Sequence, residues 1–148
     1  MIMISFKEFL ESLESDDYRG EHRAPSMGEG SAPLWDLTRI YPDDIYSNMA
    51  VRYYGDGSPL DGIAVSIMHQ CKNKPNQAVT IYRAVPSSES QINSGDWVTT
   101  VKRYAVNHGL SRLDGKYKIL SKKVYARDLF TDANSVFEFG YDPQPKSE

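Results

Sequence analysis

"VTIYRAV", Val79 to Val85, has the two-residue alternation and the β-branched and aromatic content of a strand. Val79, Ile81 and Val85 share one of its faces, and Arg83 stands on that same face, where another apolar side chain is expected. The same period returns in "GDWVTTV" (95–101), "KYKILSKKVYA" (116–126) and "SVFEFGY" (135–141), so the C-terminal half reads mostly as sheet. The last stretch repeats the oddity of the first. Glu138 shares a face with Val136 and Gly140, while Ser135, Phe137, Phe139 and Tyr141 point the other way.

Upstream the period is helical. Ser5 and Glu8 have capping-box spacing, and Phe6, Phe9, Leu10 and Leu13 follow the i, i+3, i+4, i+7 rule, which predicts an amphipathic helix from 5 to about 15. "DDYRGEHRAPSMGEGSAP" (16–33) mixes charge with glycine and proline and reads as a linker or a wrapping arm. Pro42, Asp43 and Asp44 mark a helix start, with Ile45, Met49 and Tyr53 on one face before Gly55 and Gly57. A stronger helix is expected from Pro59, where Leu60, Ile63, Ala64, Ile67, Met68 and Cys71 make an apolar stripe that puts the Cys71 thiol in the core. Between the second and third strands, "KRYAVNHG" (102–109) gathers Tyr104, Ala105 and His108 on one helical face, with Gly109 as its C-terminal cap. Helices followed by strands give an α+β class. With 148 residues and 40% apolar content the chain suits one domain, made of a helix and arm over 1–33 and a core over 34–143.

Composition narrows the functions. A net charge of −3 disfavours a surface that tracks phosphate backbones, so nucleic acid is not a favoured partner. One cysteine allows no internal disulfide, and the N-terminus has neither a basic lead nor an apolar run of membrane length; a cytoplasmic protein without a membrane partner is expected. His69 and Cys71 lie two apart on a helix and diverge, and His22 and His108 bring no ligand cluster, so no metal is expected. "GEGSAP" (28–33) lacks a preceding strand and has Pro33 where a dinucleotide fingerprint needs its third glycine.

Two readings of Arg83 stand side by side. It belongs either to an edge strand or buried Arg–carboxylate pair, or to the floor of a cleft that receives an anion. Gly140 marks either a β-bulge or close approach by a ligand or another backbone. Thr99 and Thr100 point to opposite faces. They are favoured strand residues, and one of them is also able to orient a carboxylate or a ligand.

The order of a strand with Arg83, a strand with Thr99 and Thr100, a short helix and a strand with Glu138 resembles the R-S-E arrangement of ADP-ribosyltransferases. "VTIYRAVP", "INSGDWVTTVKRYAVNHG", "KILSKKVYARDLF" and "VFEFGYDP" are most similar to the ADP-ribosyltransferase-like domains of bacteriophage and mobile-element proteins, over roughly 33 to 143. The resemblance implies N-terminal helices packed on a split, two-sheet β core. It makes NAD the co-substrate, Glu138 the catalytic glutamate and Arg83 the residue that holds phosphate and ribose, with Thr99 and Thr100 at the Ser-Thr-Ser position. Tyr82, Trp97, Tyr104 and His108 become candidate walls for the nicotinamide, Tyr104 and His108 foremost. Two departures stand out: Thr replaces the opening Ser, and Val136 occupies the place where many protein-modifying members carry Gln or Glu, which disfavours arginine as the acceptor. The implied activity is mono-ADP-ribosyl transfer to a host macromolecule, foremost a protein, in the host cytoplasm. The alternatives are an inhibitor of a host defence factor that binds without turnover, and an NAD glycohydrolase. For the enzyme readings, Arg83, Thr99 and Glu138 must meet in one cleft.

Overall fold

A computed structural model describes residues 23–28, 30–113 and 116–145. The helix expected from 5 to about 15 lies outside them. Among the described residues, β1 (Ala32–Pro33), β2 (Ala78–Pro86), β3 (Trp97–Thr99), β4 (Tyr117–Tyr125), β5 (Leu129–Thr131) and β6 (Glu138–Tyr141) form one antiparallel sheet in the order β1-β5-β6-β3-β2-β4. Helices α1 (Ala50–Tyr54) and α2 (Asp61–Gln70) precede the long strands, and α3 (Lys102–Arg112) follows β3. The class is α+β.

The hydrogen-bonded strands make one sheet, not the two separate ones expected, but its two halves are barely joined. β2 pairs with β4 along all nine of its residues, and β3 pairs with β6 from Trp97 to Thr99. Between these blocks the ladder of β2 and β3 consists of a single registered pair, Tyr82 with Thr99. Val79, Ile81 and Val85 are buried, as the alternation of β2 requires, and Val79 and Ile81 belong to a cluster that also takes in Leu34, Leu37, Ile45, Met68, Phe137 and Phe139. β5 was not foreseen: only three residues long, it has too few positions to show a period.

The N-terminal helices differ from their sequence patterns for local reasons. In place of one helix from Pro42, a 3-10 turn spans Asp43–Tyr46 and α1 begins at Ala50. Ser47 lies at the break. Its hydroxyl donates to the Asp44 carbonyl at 2.7 Å and accepts the Met49 N–H at 3.1 Å, occupying groups that a continuous helix would pair within its backbone. Ala50 is then buried, and Tyr53 is 57% exposed. α2 starts at Asp61, whose buried carboxylate accepts the N–H groups of Asp56 (3.2 Å) and Gly57 (2.9 Å). This start turns the helix so that Ala64, Val65, Met68 and Cys71 face the core while Ile63 is 51% exposed. Burial pushes the Cys71 thiol up to about 11, as befits an inert core cysteine.

Two glycines mark close approaches. Gly109 does not cap α3, which continues to Arg112; a Cβ there would lie 2.4 Å from the Tyr117 ring, so the glycine lets α3 settle onto β4. At Gly140 a Cβ would lie 1.8 Å from the Pro25 carbonyl oxygen. β6 keeps its register with both β3 and β5 through Gly140, so the position is a backbone approach and not a bulge. The segment over Arg23–Gly28 therefore wraps onto β6. The Met27 N–H donates to Asp142 Oδ2 at 3.0 Å, and β1 continues the same path against β5.

Candidate functional site

A cleft of about 410 Å³ opens where β2 and β3 part, with α3 along one side. That volume falls in the range of roughly 300–1,000 Å³ expected of small-molecule sites. Tyr82, Arg83, Thr99, Tyr104, His108 and Glu138 all line it. Three distant strands and one helix thus bring these expected site residues together, with Trp97 beside them. Thr100 is the exception. Strand alternation turns it away from Thr99, and it is 5% exposed, with its hydroxyl unpaired among the described residues. It is not part of the cleft.

Register explains how the cleft is assembled. Tyr82 faces Thr99 on β3, and Thr99 faces Glu138 on β6, so these three side chains stand in a row on one face of the sheet. Arg83, one residue along, springs from the opposite face, beside Leu120 of β4. It still reaches the cleft, because the β2–β3 ladder ends at Tyr82 and leaves a seam. Arg83 Nη1 donates to the Trp97 carbonyl at 2.7 Å, the group that would face Ala84 if the ladder continued. Its Nε lies 3.7 Å from Asp96 Oδ2, too long for a hydrogen bond, and is a buried atom without a hydrogen-bond partner. Asp96 is fixed in turn by the Asn93 N–H at 2.7 Å. Part of the Arg–carboxylate alternative for Arg83 is therefore present: the guanidinium stands beside a carboxylate, and it also binds a carbonyl where the ladder breaks. The carboxylate is Asp96, and the pair is partly open, with about a third of the Arg83 side chain accessible.

Glu138 sits half-buried across from this seam. Its Oε2 accepts a hydrogen bond from the Tyr104 hydroxyl at 3.0 Å. The Tyr104 ring is stacked on Phe137 with centroids 4.7 Å apart and planes 5° from parallel. The Thr99 hydroxyl, 4% exposed, accepts the Val101 N–H at 3.2 Å and so helps to turn the chain from β3 into α3.

Several lining residues escaped the sequence reading. Arg23 and Ala24 come from the wrapped segment, Arg112 from the last turn of α3, and Glu89 and Asp96 from the connection between β2 and β3. Asp96 carried a signal, since it lies directly before the strand that bears Thr99. Arg23 had none: only the close approach of Pro25 to Gly140 brings that segment to the cleft. With Arg83 and Arg112, it makes three arginines from three separate elements around one cavity in a chain of net charge −3. Glu89, Asp96 and Glu138 line the same cavity, so its lining carries both signs of charge. Among the described residues, no group of three or more His, Cys, Asp and Glu is placed to hold a metal ion, and no helix is long and apolar enough to cross a membrane. Compared with protein-family models, curated proteins and solved structures, the chain matches none.

Proposed function

We propose that this protein transfers ADP-ribose from NAD to a macromolecule, foremost a protein, in the cytoplasm of a host cell, as the resemblance to phage and mobile-element ADP-ribosyltransferases implies. The observation that carries the reading is the lining of a single cleft by Arg83, Thr99 and Glu138, which lie on three strands far apart in sequence. Arg83 suits a pyrophosphate because its planar fork donates two parallel hydrogen bonds and keeps its charge at any working pH. Glu138 faces the requirement of glycosyl transfer. Cleaving the bond between nicotinamide and ribose leaves the bonding pair on the nicotinamide nitrogen and develops oxocarbenium charge at the sugar carbon, which a carboxylate opposes. The acceptor then bonds to that carbon and loses its proton.

A second reading, a protein that keeps this scaffold and inhibits a host defence factor by binding, is favoured by the engagement of Arg83 with the Trp97 carbonyl and Asp96. Here the arginine braces the seam and binds no phosphate. Incubation with NAD labelled on the adenylate half, together with host lysate, separates the possibilities. Label passing to a macromolecule with nicotinamide released is the expected result. Nicotinamide released with the label left on free ADP-ribose indicates hydrolysis, and neither product indicates the binding protein.

A further inference from the structure

We infer that Tyr104 is a positioning residue for Glu138, its hydroxyl fixing the carboxylate and its ring fixed in turn by Phe137. This rests on the transfer reading. The expectation from sequence gave Tyr104 to the wall of the NAD site and placed Thr99 and Thr100 at the Ser-Thr-Ser position. The geometry distributes the roles differently. One face of the Tyr104 ring is taken up by Phe137, the residue directly before Glu138 on the chain, and the ring edge carries its hydroxyl to Glu138 Oε2 at 3.0 Å. Phe137 is itself fully buried in the core, so the ring rests on an immobile platform. The Thr99 hydroxyl, the cross-strand neighbour, accepts the Val101 N–H at the start of α3.

The consequence is preorganisation. A glutamate reaches its carboxylate through three rotatable bonds, and a group that opposes developing charge is effective only when held where that charge appears. A hydroxyl that donates to a carboxylate is a charge-assisted bond, stronger than a neutral one. Tyr104 also joins the start of α3 to β6 across the cleft, so the helix and the catalytic strand hold a common geometry.

Tyr104→Phe tests this, because it keeps the ring and its stack on Phe137 and deletes only the hydroxyl. The expected result is a kcat lowered about tenfold to a hundredfold, with NAD affinity by calorimetry within about twofold of the parent, since positioning acts mainly on the transition state. A second arm combines Tyr104→Phe with Glu138→Gln. If the hydroxyl works through Glu138, the double variant is no slower than Glu138→Gln alone. Parental kcat in Tyr104→Phe overturns the inference and leaves the transfer reading standing. An equal loss in both backgrounds also overturns it, because Tyr104 then acts apart from Glu138. A parent protein without NAD turnover removes the transfer reading and this inference together.

Discussion

Strand β2 is zipped to β4 along all nine of its residues and touches β3 in register at one pair only, Tyr82 with Thr99. The two edges of one strand therefore do different work. On the β4 side the backbone groups satisfy one another, and the side chains that matter are the buried ones, Val79, Ile81 and Val85, which hold the core. On the β3 side the ladder stops, the Trp97 carbonyl turns to the Arg83 guanidinium, and a cleft of about 410 Å³ opens beside the freed backbone. Polar and charged side chains collect where the sheet is incomplete. An interrupted ladder supplies the room that a ligand site needs.

The largest expected effect breaks the zipped side. Ile81 is fully buried, so Ile81→Ala should lower stability to urea by about 2–5 kcal/mol while the NAD affinity of the folded fraction is retained. Weaker NAD binding with unchanged stability would mean that the two edges are not separable. Glu138→Gln strikes the open side. On the transfer reading, turnover should fall about a hundredfold, or ~2.7 kcal/mol, with NAD binding nearly unchanged, because the carboxylate would oppose charge present only in the transition state. Single-turnover kinetics beside calorimetry measures both. Should the protein's biological effect survive this substitution undiminished, the binding-protein reading takes over.

Gly140→Ala attacks the segment that brings Arg23 and Ala24 to the cleft. The new Cβ meets the backbone carbonyl of Pro25, which cannot yield as a side-chain tip would, and overpacking of this kind costs about 1–3 kcal/mol. The expected readout is a lower urea midpoint together with faster proteolysis near Met27, whose N–H bond to Asp142 loosens as Pro25 shifts. Unchanged proteolysis would show the segment to be held by β1 alone. Arg83→Lys asks whether the seam is a brace or a site. Lys keeps the charge and loses the fork, so NAD should bind about tenfold more weakly, or ~1.4 kcal/mol. Full affinity with reduced stability would mark Arg83 as a brace.

A separate effect lies away from the seam, around the N-terminal helices. Burial pushes the Cys71 thiol up to about 11 from 9.0 and the Tyr41 hydroxyl up to about 12 from 10.0. Both groups hold their protons more tightly when folded. Their contribution is complete below pH 9 and is lost as pH rises through 11 and 12. Urea midpoints followed against pH should stay level to about 9 and then fall, with Cys71→Ala delaying the onset toward 10. A midpoint still level at pH 12 would contradict the burial of both groups.

The residues that local chemistry governs were legible in the sequence: the period of two marked β2 and β4, and the charges on apolar strand faces singled out Arg83 and Glu138 before any fold was known. The short helix after Thr100 was visible from the spacing of Tyr104, Ala105 and His108, and α+β followed from helical periods preceding strand periods. What depended on distant pairing was not legible. The single Tyr82–Thr99 pair at the seam, the assignment of the Trp97 carbonyl to Arg83 and the choice of Thr99, not Thr100, for the cleft each follow from registers that no local window encodes. The arm shows the same division: its glycines and prolines announced an irregular segment, but only the packing of Pro25 on Gly140 decided that it brings Arg23 to the cleft. Periodicity is written residue by residue because each side chain chooses water or core for itself, whereas a site is a meeting of strands, and which strands meet is settled by the packing of the whole chain.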